Sequence, residues 1–162
     1  MGNLKIGLGG GCHWCTEAVF QSLKGITSVE QGYIKSTGNN NSFSEAVIIV
    51  FSPEIISLKD LIEIHLLTHK STSNHSFREK YRSAIYYFKN EQKPIIETII
   101  IQLNENFQNR LITKVLKFNS FKPSRTELTN YYKKDPKKTF CIRYIQPKLE
   151  FLRNKYWDKM NF

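Results

Sequence analysis

Three consecutive glycines, Gly9-Gly10-Gly11, stand between two different hydrophobic periods, and Cys12 follows them directly. Before them, Leu4, Ile6 and Leu8 alternate with Lys5 and Gly7, which predicts a short strand. After them, Trp14 to Leu23 reads as a helix with Ala18, Val19 and Leu23 apolar, and Gly25 is a stop signal. Residues without side chains let the backbone turn sharply and pack closely. The cysteine therefore falls at a helix start, where N–H groups point outward and the helix dipole favours negative charge. A free thiol ionises near about 8.5, and such a setting lowers that value, so a thiolate nucleophile is expected at Cys12.

The remaining elements follow from pattern. Thr27 to Tyr33 and Phe43 to Phe51 predict strands, separated by the polar loop Ser36-Thr37-Gly38-Asn39-Asn40-Asn41. Ser57 is placed to cap a helix running through His65, with Leu58, Leu61, Ile62 and Leu66 on its buried side. Lys70 to Lys80 reads as a polar loop, Ser83 to Phe88 as a strand, Glu91 to Phe107 as a long helix, and Thr113 to Phe118 as a final strand. A looser basic tail follows, with a last helix from Pro147 to Trp157. Irregular alternation of helices and strands, with no internal repeat or linker, predicts a single α+β domain over residues 1–162, built on a mixed sheet.

Composition narrows the class. The chain is 40% hydrophobic, enough for a core that needs neither metal nor disulfide, and too much for disorder. Met1 to Gly11 lack the basic start and apolar run of a signal peptide, and no apolar stretch reaches membrane-span length. The expected location is the cytoplasm, where three cysteines are thiols. The net charge of +10 is scattered except at Lys133, Lys134, Lys137 and Lys138, so a solvated basic face is preferred to nucleic-acid binding or membrane attachment.

Cys12 and Cys15 form a Cys-X-X-Cys pair, which by itself fits a redox couple, half of a zinc site, or two core cysteines. Zinc would need Cys141 and one of His65, His69 or His75, and no second closely spaced pair exists, so no metal is expected.

Gly11-Cys12-His13-Trp14 resembles the Gly-Cys-Phe-Trp signature of the A-type peptide methionine sulfoxide reductases. Gly32-Tyr33, Ser44-Glu45-Ala46-Val47, Lys80-Tyr81-Arg82-Ser83 and the tail around Phe140-Cys141 resemble further family segments, in order along the chain. The resemblance implies a two-layer α/β fold with a ferredoxin-like core. It also implies reduction of methionine-S-sulfoxide, free or in proteins, with thioredoxin as reductant and no cofactor.

A sulfoxide has an electrophilic sulfur and an oxygen that leaves only when protonated, so a thiolate and an acid are both needed. The resemblance assigns Cys12 as nucleophile and Glu45 as acid, and makes Tyr33 and Tyr81 donors to the sulfoxide oxygen. Trp14, with His13 beside it, forms the wall for the substrate methyl group. Glu45 interrupts an apolar strand, where burial would keep it protonated, although alternation alone suits a solvent-facing edge glutamate. For the resolving thiol, proximity in sequence favours Cys15, whereas the resemblance favours Cys141, with Cys15 as neighbour or second relay. Departures from the family pattern are His13 for phenylalanine, Phe43 for histidine, Ser76 for an acidic residue and Leu128-Thr129-Asn130-Tyr131 for His-Gln-Asp-Tyr. The competing readings are a general Cys-X-X-Cys thiol–disulfide oxidoreductase and a non-catalytic basic binding domain.

Overall fold

A computed structural model describes residues 2–161, so Met1 and Phe162, the ends of the expected 1–162 domain, lie outside the described residues. The first half is a βαββαβ unit: β1 (Leu4–Gly9), α1 (His13–Gln21), β2 (Ile26–Lys35), β3 (Ser44–Phe51), α2 (Leu58–Leu67) and β4 (Ala84–Tyr87). β1 pairs antiparallel with both β3 and β4, and β3 with β2, giving the order β4-β1-β3-β2. That is the ferredoxin-like arrangement. α3 (Gln92–Asn104), β5 (Lys114–Lys117), β6 (Ser120–Pro123), α4 (Tyr131–Lys134), a π-helical turn Cys141–Ile145 and α5 (Gln146–Tyr156) complete the described chain. The architecture is the expected α+β fold with a mixed sheet.

Alternation along the strands sorts two cores. Ile6, Leu8, Val47, Ile49, Phe51 and Ile85 face the helices and pack with Val19 and Phe20 of α1, Leu61, Ile62 and Ile64 of α2, and Ile96 of α3. Ser57 caps α2 as expected, its hydroxyl accepting from the Asp60 N–H at 3.1 Å. The opposite face buries Ile34, Ala46, Ile48, Ala84 and Tyr86.

Among the described residues no helix packs on that second face; the sheet covers it by curling. β5 adds parallel to β4 at one edge, and β6 antiparallel to β2 at the other, yet only Phe118 and Asn119 lie between them in sequence. Three Cα steps span at most about 11 Å. A flat sheet would hold its outer strands roughly 24 Å apart. The edges therefore roll toward each other, with the Phe118 N–H donating to Tyr87 O at 2.9 Å and the Asn119 N–H to Lys35 O at 3.1 Å. Phe88, Leu116, Phe118 and Phe121 close the trough.

The expected final strand is thus not the last. Ser120-Phe121-Lys122-Pro123 offers one apolar residue, too little period to read, and its strand conformation comes from pairing with β2. Nor is the tail loose. Glu17, 2% exposed on α1, accepts from the Asn130 and Tyr131 N–H groups at 3.0 and 3.2 Å and so holds the start of α4. α5, expected from Pro147, begins at Gln146. No helix among the described residues is long and apolar enough to cross a membrane.

Candidate active site

The glycine turn is a point of close approach. A Cβ on Gly9 would lie 3.0 Å from Glu45 O and 3.1 Å from Arg82 O, and one on Gly10 (φ +156°) would sit 2.4 Å from the His69 ring. Arg78 clamps the turn to the loop that follows α2: its guanidinium donates to Gly10 O and Tyr81 O at 2.7 and 2.8 Å, to Ser73 O at 2.8 Å, and to Lys70 O. Cys12 is the N-cap of α1, its carbonyl accepting from the N–H groups of Cys15 and Thr16 at 3.1 and 3.2 Å.

The Cys12 thiol is held below its ordinary value first by the Cys15 thiol, which donates to it, and then by the N–H groups of Trp14 and Cys15. Burial and the Glu45 charge oppose this. The helix start contributes as expected, but the neighbouring thiol contributes more. In the same contact, donating to Cys12 pushes the Cys15 thiol far up, with burial and the Cys12 charge adding to the rise. Cys141 is fully buried at the start of the π-helical turn, and burial raises its thiol too. All three cysteines are free thiols, and they share one apolar cluster with Ala18, Ile145 and Leu149. Cys15 donates to Cys12 and is buried in one cluster with Cys141.

Glu45 is not a solvent-facing edge residue. It is 7% exposed, on a strand paired along both sides. Its Oε1 accepts from the His13 N–H at 3.2 Å, which ties the carboxyl to the residue after Cys12. Nor are its surroundings purely apolar, because Lys80 Nζ lies 3.7 Å from Oε2. Tyr33 is its direct cross-strand partner on β2. Lys80 and Tyr81 are brought alongside by β3 itself: the Glu45 N–H and the Ser44 hydroxyl both donate to Lys80 O at 2.9 Å. The Lys80 ammonium stands 5.0 Å above the Tyr81 ring, and its value is raised first by the Tyr81 hydroxyl and then by the Tyr81, Glu45 and Cys12 charges.

A cavity of about 550 Å³ opens at Cys12, with Gly10, Gly11, Tyr81, Phe140 and Lys148 in its wall. Tyr33 lines a separate hollow of about 360 Å³ with Phe43 and Leu128. His13 is 4% exposed, its ring turned to Gly32 and Glu45 and edge-on to Tyr33 at 5.2 Å. Trp14 lies under the tail, stacked on Tyr131 at 4.0 Å and edge-on to Phe140 at 5.3 Å. Cys12 and Tyr81 thus line one cavity and Tyr33 another, while Glu45, His13 and Trp14 line neither. Lys80 and Arg78 went unread in the sequence. Lys80 stands where the family segment has glutamine, a legible departure, whereas the carbonyls that Arg78 binds carry no side-chain signature.

A thiol lowered at a helix start, with a second thiol donating to it and a third in the same cluster, makes this a thiol site on a ferredoxin-like sheet. The family model described as Peptide methionine sulfoxide reductase matches residues 4–161. Peptide methionine sulfoxide reductase MsrA of Deinococcus radiodurans is 35% identical, the match covering 93% of this chain and 81% of the relative. Among solved structures, Mxr1 from Saccharomyces cerevisiae in reduced form superposes with a TM-score of 0.74 at 20% identity, covering 86% of this chain and 90% of that one. The same protein in complex with Trx2 gives 0.62 at 20% identity, over 80% and 85% of the two chains. The chain belongs to the peptide methionine sulfoxide reductase family.

Behind the glycine turn two histidines touch, His65 buried and His69 half-buried in the wall of the Cys12 cavity. The His65 Nε2–H donates to Gly9 O at 2.7 Å, and the His69 Nδ1–H to His65 O at 2.5 Å, because a carbonyl only accepts. His69 Nε2 then accepts from Ser83, which leaves the His65 Nδ1 without a partner among the described residues. Burial pushes His65 down to about 4 and His69 down as well. Above pH 6.5 both folded and unfolded chains keep His65 neutral, and the stabilisation is complete. As pH falls, the unfolded chain takes up a proton that the native His65 refuses until about pH 4. His65→Gln retains a donor for Gly9 and has no proton to gain. Urea denaturation at pH 7 and pH 5 should therefore show a stability loss smaller by about 2 kcal/mol in the variant than in the parent.

Proposed function

We propose that this chain reduces methionine-S-sulfoxide, free or in proteins, to methionine, acting as one reductase domain with thioredoxin as its reductant. The observation that carries the reading is a Cys12 sulfur stabilised as thiolate beside Glu45 and Tyr81, in a chain of this family. The Cys12 thiolate attacks the sulfoxide sulfur, Glu45 protonates the oxygen, and Tyr33 and Tyr81 donate to that oxygen without ionising. The S–O bond breaks, methionine leaves, and Cys12 becomes a sulfenic acid. One proton is consumed. Trp14 reaches the substrate methyl group once Tyr131 moves off its face. A general thiol–disulfide oxidoreductase is not favoured beside the family match.

Cys15 is the thiol already in contact with Cys12. We propose that it condenses with the sulfenic acid, releasing water, and that Cys141 then displaces Cys12 by thiol–disulfide exchange to leave a Cys15–Cys141 bond for the external dithiol. Support for this order is that Cys15 donates to Cys12 and is buried in one cluster with Cys141. For thioredoxin, the support is Mxr1, a protein of the same fold described in complex with Trx2. A cytoplasmic location, where thiols stay reduced, is part of the same reading.

Supplied with each sulfoxide epimer and dithiothreitol, the protein should form methionine from the S epimer only, and Cys12→Ser should form none while remaining folded. Turnover of insulin disulfides in place of sulfoxide would establish the rival instead. Glu45→Gln keeps the shape and loses the proton donor; its single-turnover rate should drop by roughly 10²-fold with substrate affinity nearly unchanged. An unchanged rate would pass the acid role to Tyr33 or Tyr81. With one equivalent of substrate, mass mapping of Cys141→Ser should reveal a Cys12–Cys15 disulfide and loss of thioredoxin-driven turnover. Cys15→Ser should accumulate sulfenic acid at Cys12. A Cys12–Cys141 bond formed normally in Cys15→Ser would remove Cys15 from the relay.

A further inference from the structure

His13, the residue that departs from the family's phenylalanine, sits where its proton inventory can be counted. Its Nδ1 lies 2.9 Å from Gly32 O. A carbonyl oxygen only accepts, so this nitrogen carries a hydrogen in every charge state. The other ring nitrogen, Nε2, lies 3.5 Å from Glu45 Oε1. Were His13 neutral and Glu45 a carboxylate, this contact would set lone pair against lone pair inside a buried site. One proton between them turns repulsion into an attractive contact, either as imidazolium with carboxylate or as imidazole with carboxylic acid. The ring cannot turn away freely: it is 4% exposed, bound to β2 through Gly32, and packed edge-on against Tyr33. Its own N–H also donates to the same carboxyl oxygen at 3.2 Å.

We infer that His13 and Glu45 act as one unit holding the single proton that sulfoxide reduction consumes, with His13 as the positioning residue for the acid. The inference rests on the proposed function for its role in turnover, but not for the existence of the pair. The balance closes over the cycle. When the Cys12 thiol ionises, its proton passes to the pair. Thiolate, sulfoxide and that proton give sulfenic acid and methionine. Condensation with Cys15 releases water and needs no further proton; displacement by Cys141 then returns Cys12 as a thiol, whose proton refills the pair, and the external dithiol reduces the Cys15–Cys141 bond. The titratable groups facing the pair are Cys12 on α1, Tyr33 on β2, and Lys80 before β4, whose ammonium lies against the other carboxyl oxygen. Without His13 the Lys80 ammonium alone would face the carboxyl and favour its anion, whereas the pair keeps one proton between two basic atoms.

Two measurements test this. Histidine labelled with 15N in the full-length reduced protein should show His13 with Nδ1 protonated throughout the titration, and Glu45→Gln should lower its midpoint by at least one unit. Single-turnover methionine formation followed against pH should lose its alkaline limb at least one unit earlier in His13→Phe than in the parent. His13→Gln, which keeps a donor for Gly32 and holds no exchangeable acid proton, should behave like His13→Phe. A His13 midpoint unmoved by Glu45→Gln overturns the pair. A uniform loss of rate with the limb in place reduces His13 to packing. If the parent reduces no sulfoxide, the functional reading fails, and the nitrogen titration still decides whether the pair holds a shared proton.

Discussion

The site depends on backbone meeting side chain at Gly9 and Gly10 with nothing between them. The end of β1 there lies against the carbonyls of Glu45 and Arg82 and against the His69 ring, all within distances that a Cβ would occupy. That contact lets β3, β4 and α2 converge on the start of α1. A side chain at either position would push α1 away from β3 and separate Cys12 from the carboxyl behind it. Arg78 then fixes the same turn from the other side by binding its carbonyl together with three from its own loop.

From this packing the electrostatics follow. A buried carboxyl is costly unless its oxygens are bound, and Glu45 is bound by the N–H of His13, the His13 ring and the Lys80 ammonium. Those partners come from α1 and from the segment before β4, so the acid is oriented by the elements that carry the nucleophile and Tyr81. The Cys12 thiol is lowered chiefly by a thiol three residues away, and the same contact raises Cys15, so the two thiols are set apart by one hydrogen bond. The histidines behind the turn stay neutral because burial outweighs the carbonyl that each one binds.

The C-terminal third completes the site, with Phe140 and Lys148 in the wall of the Cys12 cavity. Glu17 gives both carboxyl oxygens to the start of α4, which sets Tyr131 flat on Trp14, and the π-helical turn brings Cys141 into the apolar cluster of Cys15. Cys141 is consequently buried and one face of Trp14 is covered. The curl of the sheet serves the same economy of length, since two residues join its opposite edges and a short chain closes both faces.

Local chemistry was legible in the sequence. The strand–glycine–cysteine–helix unit, the cap at Ser57 and the apolar strands follow from period and turn residues, which act within a few positions of one another, whereas the ferredoxin-like order was implied by the family resemblance. Cys12 could be singled out in the same way, because the groups that lower its thiol are Cys15 and its own helix start. What the sequence could not display were interactions between residues far apart. By alternation alone Glu45 reads as an edge glutamate until Tyr33 of β2 and the Lys80 backbone flank it, and His13 reads as a substrate wall until Gly32 draws its ring inward. β6 has no period of its own and exists only through β2. Those features arise from register and close approach across the sheet, where the partners are 19 to 32 residues apart in the chain for His13 alone, and only the packed structure brings such groups within hydrogen-bond range.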